Sequence, residues 1–165
     1  MRPSELAERL RQRFAEVLEA RGEVTVTIAA DQLHRALQYL RDEPDLSFRF
    51  LSDLTATDWP RSEPRFWVAY HLLSHEHSHR VRVKVGLPGA DPRVPSVTPL
   101  YPTADWLERE AFDFFGVIFD GHPDLRRIEM PEGWVGHPLR KDEPLAGVNT
   151  QYKGAFIPPP DERGV

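Results

Sequence analysis

The sequence predicts an α+β fold, a small and mainly antiparallel sheet with helices packed on one face, followed by an extended proline-rich C-terminal segment. Two early segments carry apolar residues at helical spacing, three later segments alternate apolar and polar residues, and 12 of the 16 prolines lie from Pro88 onward. A chain of 165 residues can bury a core as one domain of ordinary size. We assign that domain to residues 1–142 and an extended or disordered arm to residues 143–165.

The start of the chain alternates helical and strand patterns. Residues 4–21 place their apolar side chains on one helical face and predict an amphipathic helix that ends at Gly22. Residues 24–28 alternate valine or isoleucine with threonine, which is typical of a half-buried strand. Asp31 is predicted to cap a second helix, which closes before Pro44.

Three segments with a period of two follow, at residues 48–56, 66–72 and 81–87. Their short connections indicate antiparallel hairpins. The basic residues that alternate with the last apolar run, Arg82 and Lys84 among them, form the wet face of that strand or, as a minor alternative, a surface for an acidic partner.

Composition excludes several classes of function. Acidic residues number 26 against 21 basic, and the net charge of −5 argues against nucleic acid as a partner. The absence of cysteine removes disulfides, thiolate zinc sites, cysteine nucleophiles and ordinary iron–sulfur ligation. No stretch approaches the roughly 18 apolar residues of a membrane span, and the N-terminus lacks a signal-peptide core. We therefore expect a soluble chain, with any membrane association supplied by partners.

The segment with the most informative sequence pattern begins with a predicted helix near residue 103. Thr103 is a plausible N-cap and Gly116 a left-handed C-cap, which predicts a helix of roughly a dozen residues. Its apolar stripe is wide enough to need cover on two sides. Arg109 lies four residues from both Asp105 and Asp113 and is expected to bridge the two acids.

The segment after this helix is expected to run extended, because each of two Gly-His-Pro triplets places a histidine before proline. Arginine and lysine flank apolar anchors there, which is the composition of an interface centre or, equally, of an ordinary loop. The basic residues are Arg126, Arg127, Arg140 and Lys141, and the anchors are Leu125, Ile128 and Leu139.

The run E-R-E-x-x-D-F-F-G from Glu108, followed by F-D-G-H-P-D-L-R-R-I and G-H-P-L-R-K-D, resembles the family of the 30-kDa subunit, or C subunit, of respiratory complex I, the bacterial proton-translocating NADH–quinone oxidoreductase. The resemblance extends weakly upstream to D-P-R-V-P-S from Asp91. It implies a structural subunit of the peripheral arm, with no cofactor, metal or catalytic residue of its own. The complex would transfer electrons from NADH to quinone and couple this to proton translocation.

The resemblance also implies partners and a location. The chain would dock on the large subunit that forms the quinone pocket, on the cytoplasmic side of the inner membrane, without inserting into the membrane. The post-helix segment and the arm would wrap that partner. The predicted docking residues are Glu108, Arg109, Glu110, Asp113, His122, Pro123, Arg126, His137, Arg140 and Lys141.

Three alternatives stay open at this point. His75, His77 and His79 have the spacing of a metal site, but they lie where a hairpin should turn, which favours a solvent-exposed loop. The helical carboxylates with His122 or His137 would suit a hydrolase, but surface or interface ion pairs are the simpler interpretation. Within the family, the chain would equally suit a relative linked to ferredoxin, deazaflavin or hydrogenase.

Overall fold

The computed structural model describes residues 1–131 and 133–143, together with the backbone of residues 151–152 and 155–156. Three α-helices are present in this part of the chain: α1 (Pro3–Arg11), α2 (Leu33–Asp42) and α3 (Ala104–Phe115). The strands are β1 (Glu16–Ala20), β2 (Glu23–Ile28), β3 (Phe50–Asp58), β4 (Phe66–Ser74), β5 (His79–Leu87), β6 (Arg93–Pro95), β7 (Ile118–Asp120), β8 (Gln151–Tyr152) and β9 (Ala155–Phe156). None of the helices described is long and apolar enough to cross a membrane.

Five strands form the main sheet, in the order β1-β2-β5-β4-β3. Strands β3, β4 and β5 are consecutive antiparallel neighbours, as predicted, and only the β2–β5 pair is parallel. A second, two-stranded parallel sheet pairs β6 with β7 and so holds the segment before α3 beside the segment after it. The predicted α+β class with a mainly antiparallel sheet is confirmed.

One face of the main sheet carries the core. Alternate residues of β4 and β5, such as Phe66, Tyr70 and Val83, are fully buried there. Leu6 of α1 and Leu37 of α2 pack into the same apolar cluster, as does α3 through its alanines, so the helices cover this one face. Each such large apolar side chain contributes about 1.5–3 kcal/mol when it is removed from water.

The prediction of one helix over residues 4–21 is wrong beyond Arg11. Residues 16–20 form β1, which pairs antiparallel with β2 in a register that joins Ala20 to Glu23. Arg21 and Gly22 both have positive φ, 55° and 78°, as a tight two-residue hairpin turn requires. The hairpin gives β2 an outer hydrogen-bonding partner, which a continuous helix could not supply.

Two further expectations need correction. Asp31 does not cap α2, because it lies inside a short 3-10 turn (Ala30–Gln32), and Gln32 occupies the N-cap position without a side-chain hydrogen bond. The sequence predicts no regular structure in residues 143–165, but β8 and β9 pair antiparallel within them. The remainder of the predicted arm, residues 144–150, 153–154 and 157–165, lies outside the described residues.

Candidate docking site around helix α3

Helix α3 begins and ends where the sequence predicts, but its buried face is charged. Gly116 closes the helix with φ of 72°, whereas Thr103 occupies the N-cap position without a capping hydrogen bond. Glu108 and Asp113 have no exposed surface, and Arg109 is 8% exposed. The interpretation of these residues as surface ion pairs is therefore wrong, since each carboxylate makes its contacts inside the chain.

Asp113 anchors the segment that follows β7. Its Oδ2 atom accepts hydrogen bonds from the backbone N–H groups of Ile128, Glu129 and Met130, at 3.0, 2.8 and 2.8 Å. Its Oδ1 atom accepts a 2.7 Å hydrogen bond from Arg127. Burial alone would raise the pKa of Asp113, but these donors together lower it below its usual value. A charged carboxylate thus organises three successive peptide groups.

The same segment caps the C-terminal end of α3, where helix carbonyls lack intrahelical partners. The Asp113 carbonyl accepts a 2.9 Å hydrogen bond from His137 Nδ1, and the Phe114 carbonyl accepts one from the backbone N–H of Leu139 at 3.1 Å. The Phe115 carbonyl accepts a 2.6 Å hydrogen bond from Arg140 Nε. The guanidinium also suits the negative end of the helix dipole. We call residues 126–131 and 133–143 the ribbon. It is fixed to α3 through the Asp113 carboxylate and through the carbonyl groups at the end of the helix.

Arg109 contributes to the ribbon in a way the sequence did not predict. Instead of bridging Asp105 and Asp113, its guanidinium donates to the backbone carbonyls of Arg126 and Arg127, at 3.1 and 3.2 Å. Its Cζ atom lies 5.1 Å from the centre of the exposed Trp106 ring. The expected bridge is wrong because the nearby carbonyls leave the guanidinium facing the ribbon.

The far end of the ribbon is pinned to the main sheet. Asp58 forms a bidentate ion pair with Arg65, at 2.7 and 2.9 Å, and also accepts a 2.8 Å hydrogen bond from the Lys141 backbone N–H. The Arg65 guanidinium lowers the pKa of Asp58, and the Lys141 N–H acts in the same direction. Arg65 also pairs with Asp142 at 2.9 Å. The ribbon therefore spans from α3 to the ends of β3 and β4.

Glu108 holds the opposite side of α3 in place. Its Oε1 atom accepts the Val97 N–H at 2.6 Å and its Oε2 atom accepts the Ser96 hydroxyl at 2.7 Å. Burial raises the pKa of Glu108 to about 7, although both hydrogen bonds oppose the rise. His122 Nε2 lies 3.9 Å from Oε2 and donates to the Asp105 carbonyl at 3.1 Å. The carboxyl thus ties the loop before α3 to the helix.

The predicted docking residues divide into two groups. Glu108, Arg109 and Asp113 are buried, His122, His137 and Arg140 are half-buried, and all six make the internal contacts above. Glu110, Pro123, Arg126 and Lys141 are exposed. Exposed apolar side chains accompany them: Trp106 at 61%, Val135 at 92% and Leu139 at 47%. We call these seven exposed residues the docking surface.

The histidine cluster lies at the hairpin turn that the sequence predicts, where His75 is exposed and His77 is half-buried. The turn between β4 and β5 is present, but His79 is 5% exposed and donates from Nε2 to the Leu46 carbonyl at 2.8 Å. His77 Nε2 makes a 2.7 Å hydrogen bond with the Pro44 carbonyl. These contacts fasten the turn to residues 44–48. Across residues 1–131 and 133–143, no group of three or more metal-ligating side chains is placed to hold an ion.

The sequence-based prediction does not include two residues that hold the ribbon and α3 in place, Asp58 and Ser96. Asp58 continues the period of Leu54 and Ala56 onto the core face of β3, so a buried acid in need of a partner could have been inferred there. Ser96 stands in the D-P-R-V-P-S run upstream of α3, but its link to Glu108 depends on the β6–β7 pairing, which local pattern does not reveal.

Fold and site together define a small α+β protein in which charged side chains fix an extended segment to one helix. The sequence model of the protein family described as the respiratory-chain NADH dehydrogenase 30-kDa subunit matches residues 26–149. The chain belongs to this family.

Relatives and solved structures agree with that assignment. The NADH-quinone oxidoreductase C subunit of Mycobacterium tuberculosis H37Rv is 48% identical, over 96% of this chain and 70% of the relative. The corresponding C subunit of Nocardioides sp. JS614 is 49% identical, over 87% of this chain and 58% of the relative.

Two solved structures share the fold. A trypsin-resistant fragment of Nqo5 has a TM-score of 0.65 and 32% identity, and covers 76% of this chain and all (100%) of the fragment. A chain of the archaeal membrane-bound sulfane sulfur reductase, a respiratory membrane complex, has a TM-score of 0.69 and 28% identity, over 87% of this chain and 86% of that one.

Proposed function

We propose that the chain is a non-catalytic structural subunit of the peripheral, hydrophilic arm of a complex I-type NADH–quinone oxidoreductase. In this role it supports electron transfer from NADH to quinone, coupled to proton translocation. The observation that carries the proposal is the ribbon, which Arg127, Arg140 and the Lys141 backbone hold against α3 and the sheet while Val135 and Leu139 stay exposed.

A structural role fits the chemistry of the carboxylates. Asp113 accepts four hydrogen bonds and has no exposed surface, which leaves it without access to a substrate. One cavity of about 550 Å³ lies at the other end of the main sheet, lined by the start of β5 and the end of β4, and a second of about 500 Å³ lies beside Trp67 and Gly86. No residue of the ribbon lines either cavity. The hydrolase alternative is therefore not favoured.

The docking surface suits a protein partner. It combines an exposed tryptophan, exposed aliphatic side chains and an arginine, the residue types enriched at interface centres. Its backbone is fixed at both ends, so that little conformational entropy is lost on binding. We assign it to the large subunit that forms the quinone pocket, because electron-transfer partners need rigid relative placement.

The location follows from this partner. We place the chain on the cytoplasmic side of the inner membrane, attached through the complex. The chain of the sulfane sulfur reductase has the same fold in another respiratory complex, but the higher identity to NADH-quinone oxidoreductase subunits favours an NADH-linked assembly.

Co-purification tests the proposal. We expect the double variant Arg126→Glu with Val135→Asp to reduce recovery of the large subunit with the tagged chain from native membranes by about tenfold, since the first change reverses a charge at the interface and the second puts a charge on an apolar contact. Arg11→Glu, the same charge reversal on exposed α1, should leave recovery unchanged. Equal recovery with both variants would contradict the assignment. Arg140 is avoided because its loss would damage the helix cap.

A further inference from the structure

Glu108 lies at the inner end of a chain of hydroxyl groups that reaches towards the surface. Its Oε2 atom accepts the Ser96 hydroxyl at 2.7 Å, and Ser96 Oγ lies 2.8 Å from Thr98 Oγ1. Glu108 has no exposed surface, Ser96 is 2% exposed and Thr98 is half-buried. The Thr98 N–H donates to Ser96 Oγ at 3.3 Å and holds the hydroxyls in line.

Within the described residues, no arginine or lysine lies at ion-pair distance from Glu108. His122 faces it from the loop after β7, with Nε2 3.9 Å from Glu108 Oε2 and 3.3 Å from Asp105 Oδ1, and Nδ1 accepts the Asp124 N–H. Asp105 lies on the same helix, and its negative charge raises the pKa of Glu108 further. Tyr70 faces it from β4.

Tyr70 adds an uncharged hydroxyl group to the surroundings of Glu108. The hydroxyl is fully buried and has no hydrogen-bond partner within the described part of the chain. Burial, followed by the charge of Glu108, raises the pKa of Tyr70 well above its usual value, so Tyr70 stays protonated when Glu108 titrates. Asp113 has different surroundings from Glu108, because Arg127 and three peptide N–H groups stabilise its negative charge.

We propose that Glu108 is a proton-binding site that exchanges its proton with solvent through Ser96 and Thr98. A proton that arrives at Thr98 Oγ1 forms an O–H bond there, the original Thr98 proton passes to Ser96 Oγ, and the original Ser96 proton passes to Glu108 Oε2. Three O–H bonds form and two break, one proton is taken up, and the carboxylate becomes a neutral acid. Every donor then still has an acceptor along the chain.

Infrared spectroscopy of the full-length chain tests the site, independently of any partner. We expect the carbonyl band of a protonated carboxyl, shifted by ¹³C-glutamate labelling, to titrate with a midpoint near pH 7. The band should be absent in Glu108→Gln and retained in Glu110→Gln, an exposed acid on the same helix. A band that persists in Glu108→Gln, or one that titrates only below about pH 5 as an ordinary glutamate does, would overturn the site.

The route is tested by a pH jump followed with the same band. We expect Thr98→Val, which keeps the shape of the side chain and removes its hydroxyl, to slow protonation of Glu108 by about tenfold or more. Thr98→Ser should restore the rate, which a purely structural role for the methyl group would not allow. Unchanged near-UV circular dichroism establishes the fold of each variant. Equal rates in Thr98→Val and the unaltered chain would overturn the route.

Discussion

Glu108 and Asp113 are both buried, on different sides of α3, and their pKa values shift in opposite directions. Burial acts on both and favours the neutral acid. Asp113 overcomes it with a guanidinium and three peptide N–H groups, whereas Glu108 has one hydroxyl and one N–H. Glu108 also lies deeper in the protein, so its stronger desolvation and its fewer, uncharged donors together explain why its pKa rises while that of Asp113 falls.

Removing the charge of Asp113 should destabilise the fold. In Asp113→Asn, the amide either turns its NH₂ group towards the N–H groups of residues 128–130 or towards Arg127, and either choice leaves buried donors unpaired. We expect the free energy of unfolding in urea to fall by about 3 kcal/mol. Glu110→Gln, on the exposed face of the same helix, should change it by less than about 0.5 kcal/mol. Similar small changes in both variants would refute the anchoring role.

Ionisation of Glu108 should make the fold less stable as pH rises. Its pKa in the folded state, about 7, lies above the ordinary value of 4.5, so its contribution is complete below pH 4.5 and is lost as pH rises through 7. Relative to Glu108→Gln, the chain should gain on the order of 3 kcal/mol between pH 8 and pH 5.

The comparison with Glu108→Gln isolates this effect. Burial lowers the pKa of His79 and of His137, and both residues therefore favour the folded state above their ordinary pKa of 6.5 and weaken it as pH falls. They are present in both proteins and cancel in the difference. Urea unfolding at several pH values measures the difference in unfolding free energy between the unaltered chain and Glu108→Gln. If that difference does not vary with pH, the raised pKa of Glu108 is contradicted.

Sequence spacing identified the right residues but not their partners. The i,i+4 relation of Arg109 to two acids predicted a surface bridge, because spacing on a helix says which side chains are neighbours and nothing about what covers them. The carbonyls that Arg109 contacts belong to residues 17 and 18 positions later, so only the path of the ribbon could reveal them.

At the scale of elements, the contact between α3 and the ribbon depends on Gly116. Gly116 and Gly121 have similar positive φ values, 72° and 83°, but a Cβ on Gly116 would collide with Arg140 and His137, and one on Gly121 would meet nothing within 4 Å. Both alanine variants carry a backbone strain of about 1 kcal/mol.

We expect Gly116→Ala to lose about 2 kcal/mol more than Gly121→Ala in urea unfolding, because the collision displaces the side chains that cap the helix. The amide of Leu139, which donates to the Phe114 carbonyl, should also exchange its hydrogen faster in Gly116→Ala. Matching losses and unchanged exchange in the two variants would show that the ribbon is not held at this point.

The elements themselves were predictable wherever local chemistry agreed with tertiary packing. Helix α3 ends at Gly116 because only the left-handed conformation closes the helix there. Residues 16–20 were assigned to a helix because Leu10, Phe14 and Val17 keep a helical period, yet the chain forms a hairpin. Phe14 and Val17 pack against the core in the hairpin as well, so burial of these side chains is compatible with a helix or a strand. Backbone pairing with β2 is what favours the strand.

At the scale of the whole molecule, the family motif serves the interior as much as the surface. The E-R-E-x-x-D run and the two Gly-His-Pro segments that follow it indicated the family, and the comparisons confirm it. The first, second and last charged residues of the run are buried, however, and only Glu110 is exposed. A motif in one sequence does not say whether its residues contact the chain itself or a partner, so the docking role of these residues stays a prediction.

Site-specific photo-crosslinking in native membranes tests the central claim most directly. A photoreactive side chain replaces Val135, which is 92% exposed at the middle of the ribbon, and in a matched chain it replaces Arg11 on α1. We predict that the probe at residue 135 crosslinks to the large subunit of the NADH–quinone oxidoreductase, identified by mass spectrometry of the joined peptides, and that the probe at residue 11 does not. A probe at residue 135 that reacts only with water in the assembled complex would contradict the account.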